Sequence, residues 1–380
     1  MARMDEFLFS EDAAKGGGGA AERSDPPVDN WKLLIVDDEQ DVHDVTMMAL
    51  KRLTFDAKGV EFLSAFSASE AKGLLVEHPE IAVILLDVVM EEDDSGLALV
   101  RHIREELHNS MVRIIVRTGH PGEAPEESVT VAYDINDYKE KTELTSRGLR
   151  TALINALRSY RDIATIHDLN RELEATQSEL IYALGEIAES RSVETGHHVK
   201  RVGEIAALLA VRLGLPERQA ALLRLAASMH DLGKLAIHDS ILKKPGPLTP
   251  AEYEMMKTHS ALGYEILKHS RRPLIQMAAV IAREHHENYD GSGYPDGLSG
   301  EEINIYSRIT ALADVFDALG MRRAYKAAWP LERILEYIRK ERGKKFDPQL
   351  VDLFFRHIDE IERVRQLFSD PEQDPAAAPN

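Results

Sequence analysis

No cysteine occurs among the 380 residues, which excludes disulfide bonds, thiolate metal sites and cysteine nucleophiles. Long apolar runs are also missing, so we expect no membrane-spanning helix. The first residues include acids such as Asp5 and Glu6, where a secretion signal needs positive charge and an apolar stretch. Together these absences predict a cytoplasmic protein without membrane insertion.

Positive charge is scarce as well. Lysine and arginine number 46 against 65 aspartates and glutamates, so the formal net charge is −19. Such a chain repels a nucleic-acid duplex, and no helix-turn-helix segment is recognisable, so we do not expect a DNA-binding regulator. At roughly 150 residues per domain, the length predicts two or three domains.

The order of patterns along the chain predicts a multidomain protein of five parts. Residues 1–30 and 369–380 are rich in glycine, proline and acids, and we expect two disordered tails. Residues 31–147 alternate short apolar runs with amphipathic stretches, which is typical of an α/β domain with a buried parallel sheet. Residues 148–183 form a predicted helical linker, and residues 184–368 form an all-α domain. The apolar runs that we expect to be strands are Leu33–Val36, Val60–Ala65, Ile81–Leu86, Arg113–Val116 and Ile135–Tyr138.

Two apolar seams follow one another in the linker, with steps of three and four residues that are typical of a coiled coil. The first seam consists of Leu149, Leu153, Ala156, Tyr160 and Ile163. The second consists of Ile166, Leu169, Leu173, Thr176, Leu180, Ala183 and Ile187. The register breaks between them. Two interpretations stay open: a long helix that packs on its own domain, or the stalk of a homodimer through residues 148–187.

Polar residues collect at the carboxyl ends of the predicted strands. Asp37 and Asp38 follow the first strand, and Asp87 follows the third. Three carboxylates at one sheet edge repel each other unless a hard cation lies between them, and Mg²⁺ prefers such ligands. Thr118 and Lys141 follow later strands, where a hydroxyl and an ammonium suit a phosphorylated aspartate.

With these five residues in this order, residues 31–147 resemble a two-component response-regulator receiver domain with a flavodoxin-like fold. The resemblance implies phosphorylation by a cognate sensor histidine kinase and a bound Mg²⁺. It assigns Asp87 as the phosphoacceptor, Asp37, Asp38 and Asp87 as Mg²⁺ ligands, and Thr118, Tyr138 and Lys141 as switch residues. One departure is Thr142, which stands where the family usually has proline.

The second half of the chain carries a cluster of histidines and acids. Glu194 and His198 share a helix face if the helix covers both, and Asp314 lies in an otherwise apolar helix. The whole set is Glu194, His198, His230, Asp231, His259, His285, His286 and Asp314. Neutral imidazoles and ionised carboxylates would give this set a charge that two divalent ions and one hydroxide balance. Nitrogen and oxygen donors without sulfur favour iron or manganese.

The segment HHENYDGSGYP at residues 285–295 identifies residues 184–366 as resembling an HD-GYP domain of the HD phosphohydrolase superfamily. The resemblance implies that the eight residues hold two or three divalent metal ions, with His230, Asp231 and Lys234 as catalytic residues. It assigns substrate contacts to Gly293, Tyr294, Pro295, Arg323 and Lys326.

The activity implied by the resemblance is hydrolysis of cyclic di-GMP to pGpG, and onward to GMP, by a hydroxide that bridges two metals. Such ions lower the pKa of water to ~7. Two alternatives remain: an adaptor that binds cyclic di-GMP or pGpG with little turnover, and an HD phosphohydrolase of mononucleotides. The Tyr294, Arg323 and Lys326 set argues against the mononucleotide enzyme.

Overall fold

A computed structural model describes residues 30–90, 95–118, 135–140, 145–191, 196–321 and 328–368. Four of the predicted site residues lie outside these ranges: Glu194, Arg323, Lys326 and Lys141. The side chain of Thr118 is also outside the description. The chain divides into two compact units, residues 1–170 and residues 171–380.

The first unit contains a five-stranded, fully parallel sheet in the order β2-β1-β3-β4-β5, which confirms the predicted receiver-type α/β fold. The central strand β3 is buried along its whole length, as expected for a strand covered on both faces. The strands are β1 Trp31–Val36, β2 Val60–Ala65, β3 Val83–Asp87, β4 Arg113–Thr118 and β5 Asp137–Glu140.

Helices connect β1 to β2, β2 to β3 and β3 to β4 in the described part of this unit. The cores on the two faces of the sheet consist mainly of leucine, isoleucine and valine. Ser67 caps one helix by accepting a hydrogen bond from the backbone of Glu70. The helices are α1 Gln40–Leu50, α2 Ala68–Glu77 and α3 Ser95–Arg101, which continues as a π-helical turn over His102–Glu106.

Helix α4, Ser146–Ser190, is one continuous element whose residues belong to both units. Leu149, Leu153 and Ala156 of the first seam are buried in the core of the first unit. The interpretation that the helix packs on its own domain therefore holds for the first seam. The core on this face of the sheet therefore includes side chains of α4.

In the described part of the second unit the regular elements are all helices, as predicted. Its core includes an edge-to-face contact between Phe316 and Phe354, with ring centroids 5.0 Å apart. The helices are α5 Gly196–Leu213, α6 Glu217–Ala227, α7 Asp239–Leu242, α8 Pro250–Leu267, α9 Pro273–Glu284, α10 Ile305–Gly320, α11 Leu331–Lys340, α12 Pro348–Arg356 and α13 Ile358–Leu367. Short 3-10 helices occur at Leu232–Ala236 and Gly300–Glu302. Across the described ranges, no helix has both the length and the hydropathy needed to cross a membrane.

Candidate metal centre

Seven of the eight predicted metal ligands converge in the second unit, and we call these seven the candidate metal centre. They come from three helices, from the residues directly after α9 and from the turn after α6, so residues far apart in sequence meet. Their donor atoms form two groups, each within 4.8 Å: Asp231, His259, His285 and His286 in one, and His198, His230 and Asp314 in the other. Glu194 lies outside the described residues.

Asp231 lies between the histidines and contacts both groups. Its Oδ1 is 3.1 Å from Nε2 of His259 and 3.6 Å from Nε2 of His285. Its Oδ2 is 3.2 Å from Nε2 of His230. In the second donor group, Oδ1 of Asp314 lies 3.4 Å from Nε2 of His198. Asp231 is therefore placed to bridge the two groups.

The backbone orients three of these histidines in the same way. Nδ1 of His230 donates to the carbonyl of Ala227 at 2.8 Å, and Nδ1 of His259 donates to the carbonyl of Met256 at 2.6 Å. Nδ1 of His285 lies 3.0 Å from the carbonyl of Ile281. Because a carbonyl can only accept, each Nδ1 carries a proton, and Nε2 is the ring nitrogen that can bind a metal.

His198 is oriented by Asp317, which was not among the predicted site residues. Its Nδ1 lies 2.7 Å from Oδ2 of Asp317, which is almost fully buried. Nε of Arg201 donates to the other oxygen of Asp317 at 2.7 Å, so the buried carboxylate has a charged partner. The three-residue spacing between Asp314 and Asp317 was a usable signal, since it places both on one helix face.

The electrostatic environment of the site shifts the pKa values of its histidines in different directions. Burial lowers the pKa of His230, but the carboxylates of Asp231 and Asp314 outweigh it and raise the pKa to about 9. Burial lowers the pKa of His285, and burial together with His285 holds the pKa of His286 well below its ordinary value. Without a cation, the site thus keeps a proton on His230, and metal binding would have to displace it.

The donor set fits divalent metal ions. Nε2 of His230 and Oδ1 of Asp231 are buried and make no well-oriented hydrogen bond to any described residue, although both lie near charged neighbours. Buried polar atoms without such bonds are costly unless another group binds them. Imidazole nitrogens and carboxylate oxygens at these distances suit a hard or borderline cation.

Lys234 lies beside this centre in the 3-10 helix that follows His230 and Asp231. Its Nζ is 2.6 Å from Oδ2 of Asp231, so its ammonium lies directly beside the candidate metal centre. Gly233 permits this arrangement, because a Cβ there would lie 1.9 Å from the carbonyl oxygen of His259. The same contact explains why the turn can pack directly on α8.

The GYP segment forms a tight loop next to the histidines. Glu287 is buried, and its carboxylate accepts hydrogen bonds from the backbone of residues 296–298 at 2.7 to 3.1 Å. Gly293 passes so close to the preceding backbone that a Cβ would lie 2.3 Å from the nitrogen of Asn288. The ring of Tyr294 packs against that of His286, with centroids 4.8 Å apart, and Pro295 is exposed. Glu287 was not among the predicted site residues.

In the first unit, the predicted acidic pocket lies at the carboxyl edge of the sheet. Val36 and Leu86 pair in neighbouring strands, so Asp37 and Asp87 follow at adjacent positions. Both are buried, whereas Asp38 is exposed. Oxygen atoms of Asp37, Asp38 and Glu39 lie within 4.8 Å of each other, and Glu39 was not predicted.

Two further predicted residues of this unit can be placed. The backbone of Thr118 ends β4 beside β5, and Tyr138 is half-buried opposite Val116 in the same strand pair. An unpredicted residue, Arg117, extends into the acidic pocket. It is buried, donates to Oγ1 of Thr46 at 3.0 Å and lies 3.4 Å from Oδ2 of Asp37.

The parallel sheet with its acidic edge and the helical His/Asp site define a receiver unit joined to an HD domain. In agreement, the family model described as HD domain matches residues 183–350. An HD domain implies divalent metal binding, and the two donor groups described above fit that requirement.

Known proteins similar to this chain include enzymes of cyclic dinucleotide metabolism. The chain is 33% identical to 3'3'-cGAMP-specific phosphodiesterase 2 of Vibrio cholerae, over 90% of this chain and 94% of that protein. It is 34% identical to the cyclic di-GMP phosphodiesterase response regulator RpfG of Xanthomonas campestris, over 89% and 90%. It is 35% identical to a cyclic di-GMP phosphodiesterase of Thermotoga maritima, over 81% and 88%. The chain belongs to the response regulators with a receiver domain and an HD-GYP domain, in the cyclic di-GMP phosphodiesterase family.

Proposed function

We propose that the protein is a receiver-controlled, metal-dependent phosphodiesterase that hydrolyses cyclic di-GMP to pGpG, with GMP as a further product. The observation that carries this proposal is the convergence of seven His and Asp side chains, with the ammonium of Lys234 2.6 Å from one of them, Asp231. Two or three ions of iron or manganese are the cofactors that we expect there. In the reaction, water adds to phosphorus, the P–O3′ bond breaks, and the 3′-oxygen leaves with a proton.

The candidate metal centre would hold the ions through the Nε2 atoms of the histidines and the oxygens of Asp231 and Asp314. Bound divalent ions would supply an activated water and offset negative charge on the phosphodiester. Lys234 adds a positive charge next to the same oxygens, where it would stabilise the charge that grows on the non-bridging oxygens of the phosphate.

Tyr294 would orient the substrate from the GYP loop. Its ring packs on His286, and Nζ of Lys257 lies 5.5 Å from the ring centroid. Burial raises the pKa of the Tyr294 hydroxyl, so this group stays protonated at neutral pH and can donate a hydrogen bond to a phosphate or guanine. Arg323 and Lys326 remain proposed substrate contacts from the sequence.

Control of the activity is proposed to begin at Asp87, which would accept a phosphoryl group from a sensor histidine kinase with Mg²⁺ bound by Asp37 and Asp38. Helix α4 offers a path for the signal, because its residues belong to both units. We further propose a homodimer through the second seam of α4. Leu169, Leu173 and Leu180 of this seam are about 60% exposed in the single chain, at the coiled-coil spacing that a second copy would cover.

Anaerobic purification with metal analysis, followed by chromatography of cyclic dinucleotide reactions, tests the enzyme. Two or three metals per chain, with pGpG or GMP formed by the wild type and not by His230→Ala/Asp231→Ala, support the proposal. A full metal complement without product, under either phosphorylation state, supports the binding adaptor instead. A mononucleotide hydrolase would turn over dGTP but not cyclic di-GMP.

A second candidate substrate is 3'3'-cGAMP, because one relative with 33% identity over most of both chains is specific for it. The two substrates share the phosphodiester ring and differ in one base. Initial rates are measured separately for the two substrates at the same concentration, well below KM. Their ratio gives the ratio of the two kcat/KM values. A ratio above about 10 in either direction, or about 1.4 kcal/mol, would assign the preference.

A further inference from the structure

The last turn of α4 places a buried carboxylate against the lysine of the candidate metal centre. Glu189 is 1% exposed, and its two oxygens lie 3.1 and 3.2 Å from Nζ of Lys234. Nζ also contacts Asp231, so the ammonium lies between a carboxylate of the linker helix and a carboxylate of the metal centre. We propose that Glu189 is a positioning residue that holds the Lys234 ammonium beside the reacting phosphate. This inference rests on the proposed phosphodiesterase activity.

A competing role for Glu189 is that of another metal ligand. One of its oxygens lies within 4.8 Å of donor atoms of His230 and Asp231. However, both of its oxygens contact the same ammonium, and this arrangement neutralises the buried charge without a metal. The geometry therefore favours a partner of the lysine over a ligand.

Arg191, directly after α4, binds the residues that follow Lys234. Its guanidinium donates to the backbone carbonyls of Leu235 and Ile237, the latter at 3.2 Å, and forms an ion pair with Asp239. The end of α4 thus contacts Lys234 through Glu189 and the residues that follow Lys234 through Arg191. A shift of the helix would move the turn with it.

This end of α4 packs closely against the segment before His230. A Cβ on Gly185 would lie 2.4 Å from the carbonyl oxygen of Ser228, so helix and segment meet backbone to backbone. Ala188 is also buried in the core of the second unit. These contacts give α4 a direct mechanical connection to Lys234, which is where a signal carried along the helix would act.

The test compares Glu189→Gln and Glu189→Asp with Glu186→Gln, a matched change at an exposed position of the same helix. Misplacing a charge by about 1 Å can cost about 100-fold in rate, so we expect Glu189→Gln to lower kcat by about 10- to 100-fold. We expect KM and metal content to stay near the wild-type values, and the melting temperature to fall because the buried ammonium loses a charged partner. Glu189→Asp should recover part of the loss, and Glu186→Gln should lose nothing.

A double-mutant cycle separates positioning from a general structural role. If Glu189 acts through Lys234, Glu189→Gln should cost little more once Lys234→Met is present. Additive losses would overturn the proposal. So would the loss of one metal equivalent in Glu189→Gln, because that result would identify Glu189 as a ligand.

A readout without turnover distinguishes failure of this inference from failure of the proposed function. Acetylation of Lys234 in the metal-loaded protein, followed by mass spectrometry, should be faster in Glu189→Gln than in the wild type and unchanged in Glu186→Gln. An inactive wild type that shows this difference would contradict the phosphodiesterase and leave the Glu189–Lys234 pairing supported. Equal acetylation rates in all three proteins would overturn the pairing itself.

Discussion

The Nδ1 atom of His198 lies 2.7 Å from a carboxylate oxygen of Asp317, and both side chains are buried. This contact joins α5 to α10 and directs Nε2 of His198 toward Asp314, 3.4 Å away. A carboxylate behind a metal-ligating histidine fixes the ring and increases its basicity. Asp317 therefore supports the candidate metal centre through His198, although it is not itself one of the metal donors.

Replacement of this supporting carboxylate should weaken metal binding. We expect Asp317→Asn to lower the affinity for manganese by about 10- to 100-fold, since the ring of His198 loses its charged partner. Competition titration with a chelating dye measures the change. Asp352→Asn, at an exposed carboxylate of the same unit, serves as the control, and an unchanged affinity in Asp317→Asn would contradict this role.

The GYP loop should not tolerate a side chain at Gly293. In Gly293→Ala the new Cβ would lie 2.3 Å from the nitrogen of Asn288, so the loop must move away from the backbone that precedes it. We expect KM for cyclic di-GMP to rise about 10-fold because Tyr294 moves with the loop, and unfolding free energy to fall by about 1–3 kcal/mol.

A glycine in open space provides the comparison for this variant. Gly73 lies in α2 with nothing within 4 Å of the position of its Cβ, so Gly73→Ala should leave KM unchanged. It should add about 0.5–1 kcal/mol of stability to the first unit. Chemical denaturation measures both stabilities. A Gly293→Ala protein with wild-type KM would show that the loop does not position the substrate.

Arg117 should oppose Mg²⁺ binding in the acidic pocket of the first unit. Its guanidinium lies 3.4 Å from Asp37, and burial lowers its pKa although the carboxylates of Asp37 and Asp87 act in the other direction. With the cation removed in Arg117→Met, we expect Mg²⁺ affinity to rise by about tenfold. Isothermal titration at fixed ionic strength tests this, with the exposed Arg52→Met as control. Weaker binding in Arg117→Met would mean that the arginine orders the pocket instead.

The second seam of α4 should control the oligomeric state. In Leu173→Glu/Leu180→Glu, two exposed apolar side chains become charged, and like charges would face each other in a parallel dimer. We expect the variant to be a monomer by light scattering where the wild type is a dimer. Glu172→Gln/Glu179→Gln, off the seam, should remain a dimer. A wild-type monomer at the same concentration would contradict the predicted stalk.

Some features of this protein could be read from local sequence. The strands of the receiver sheet are short apolar runs, and β3 shows why, because a strand buried on both faces must be apolar along its length. The run Val60–Ala65 coincides with β2 as observed, although this edge strand is only partly buried. The seven predicted metal ligands in the described residues lie close together in the fold. The sequence could indicate them because histidines and acids in this order along a chain are typical of one shared site. The family followed from the same motifs.

Other features depended on the tertiary structure. Glu189, Arg117 and Asp317 are ordinary charged residues in sequence, and their roles follow only from which buried atoms they reach across the fold. The two seams of α4 have nearly the same spacing, yet the first is buried on the receiver core and the second is exposed in the chain.

By itself the sequence determined the chemistry of the site and the class of each domain, because those depend on residue type and local period. Packing decided which charge faces which, because burial and pairing are set by residues that lie far apart along the chain.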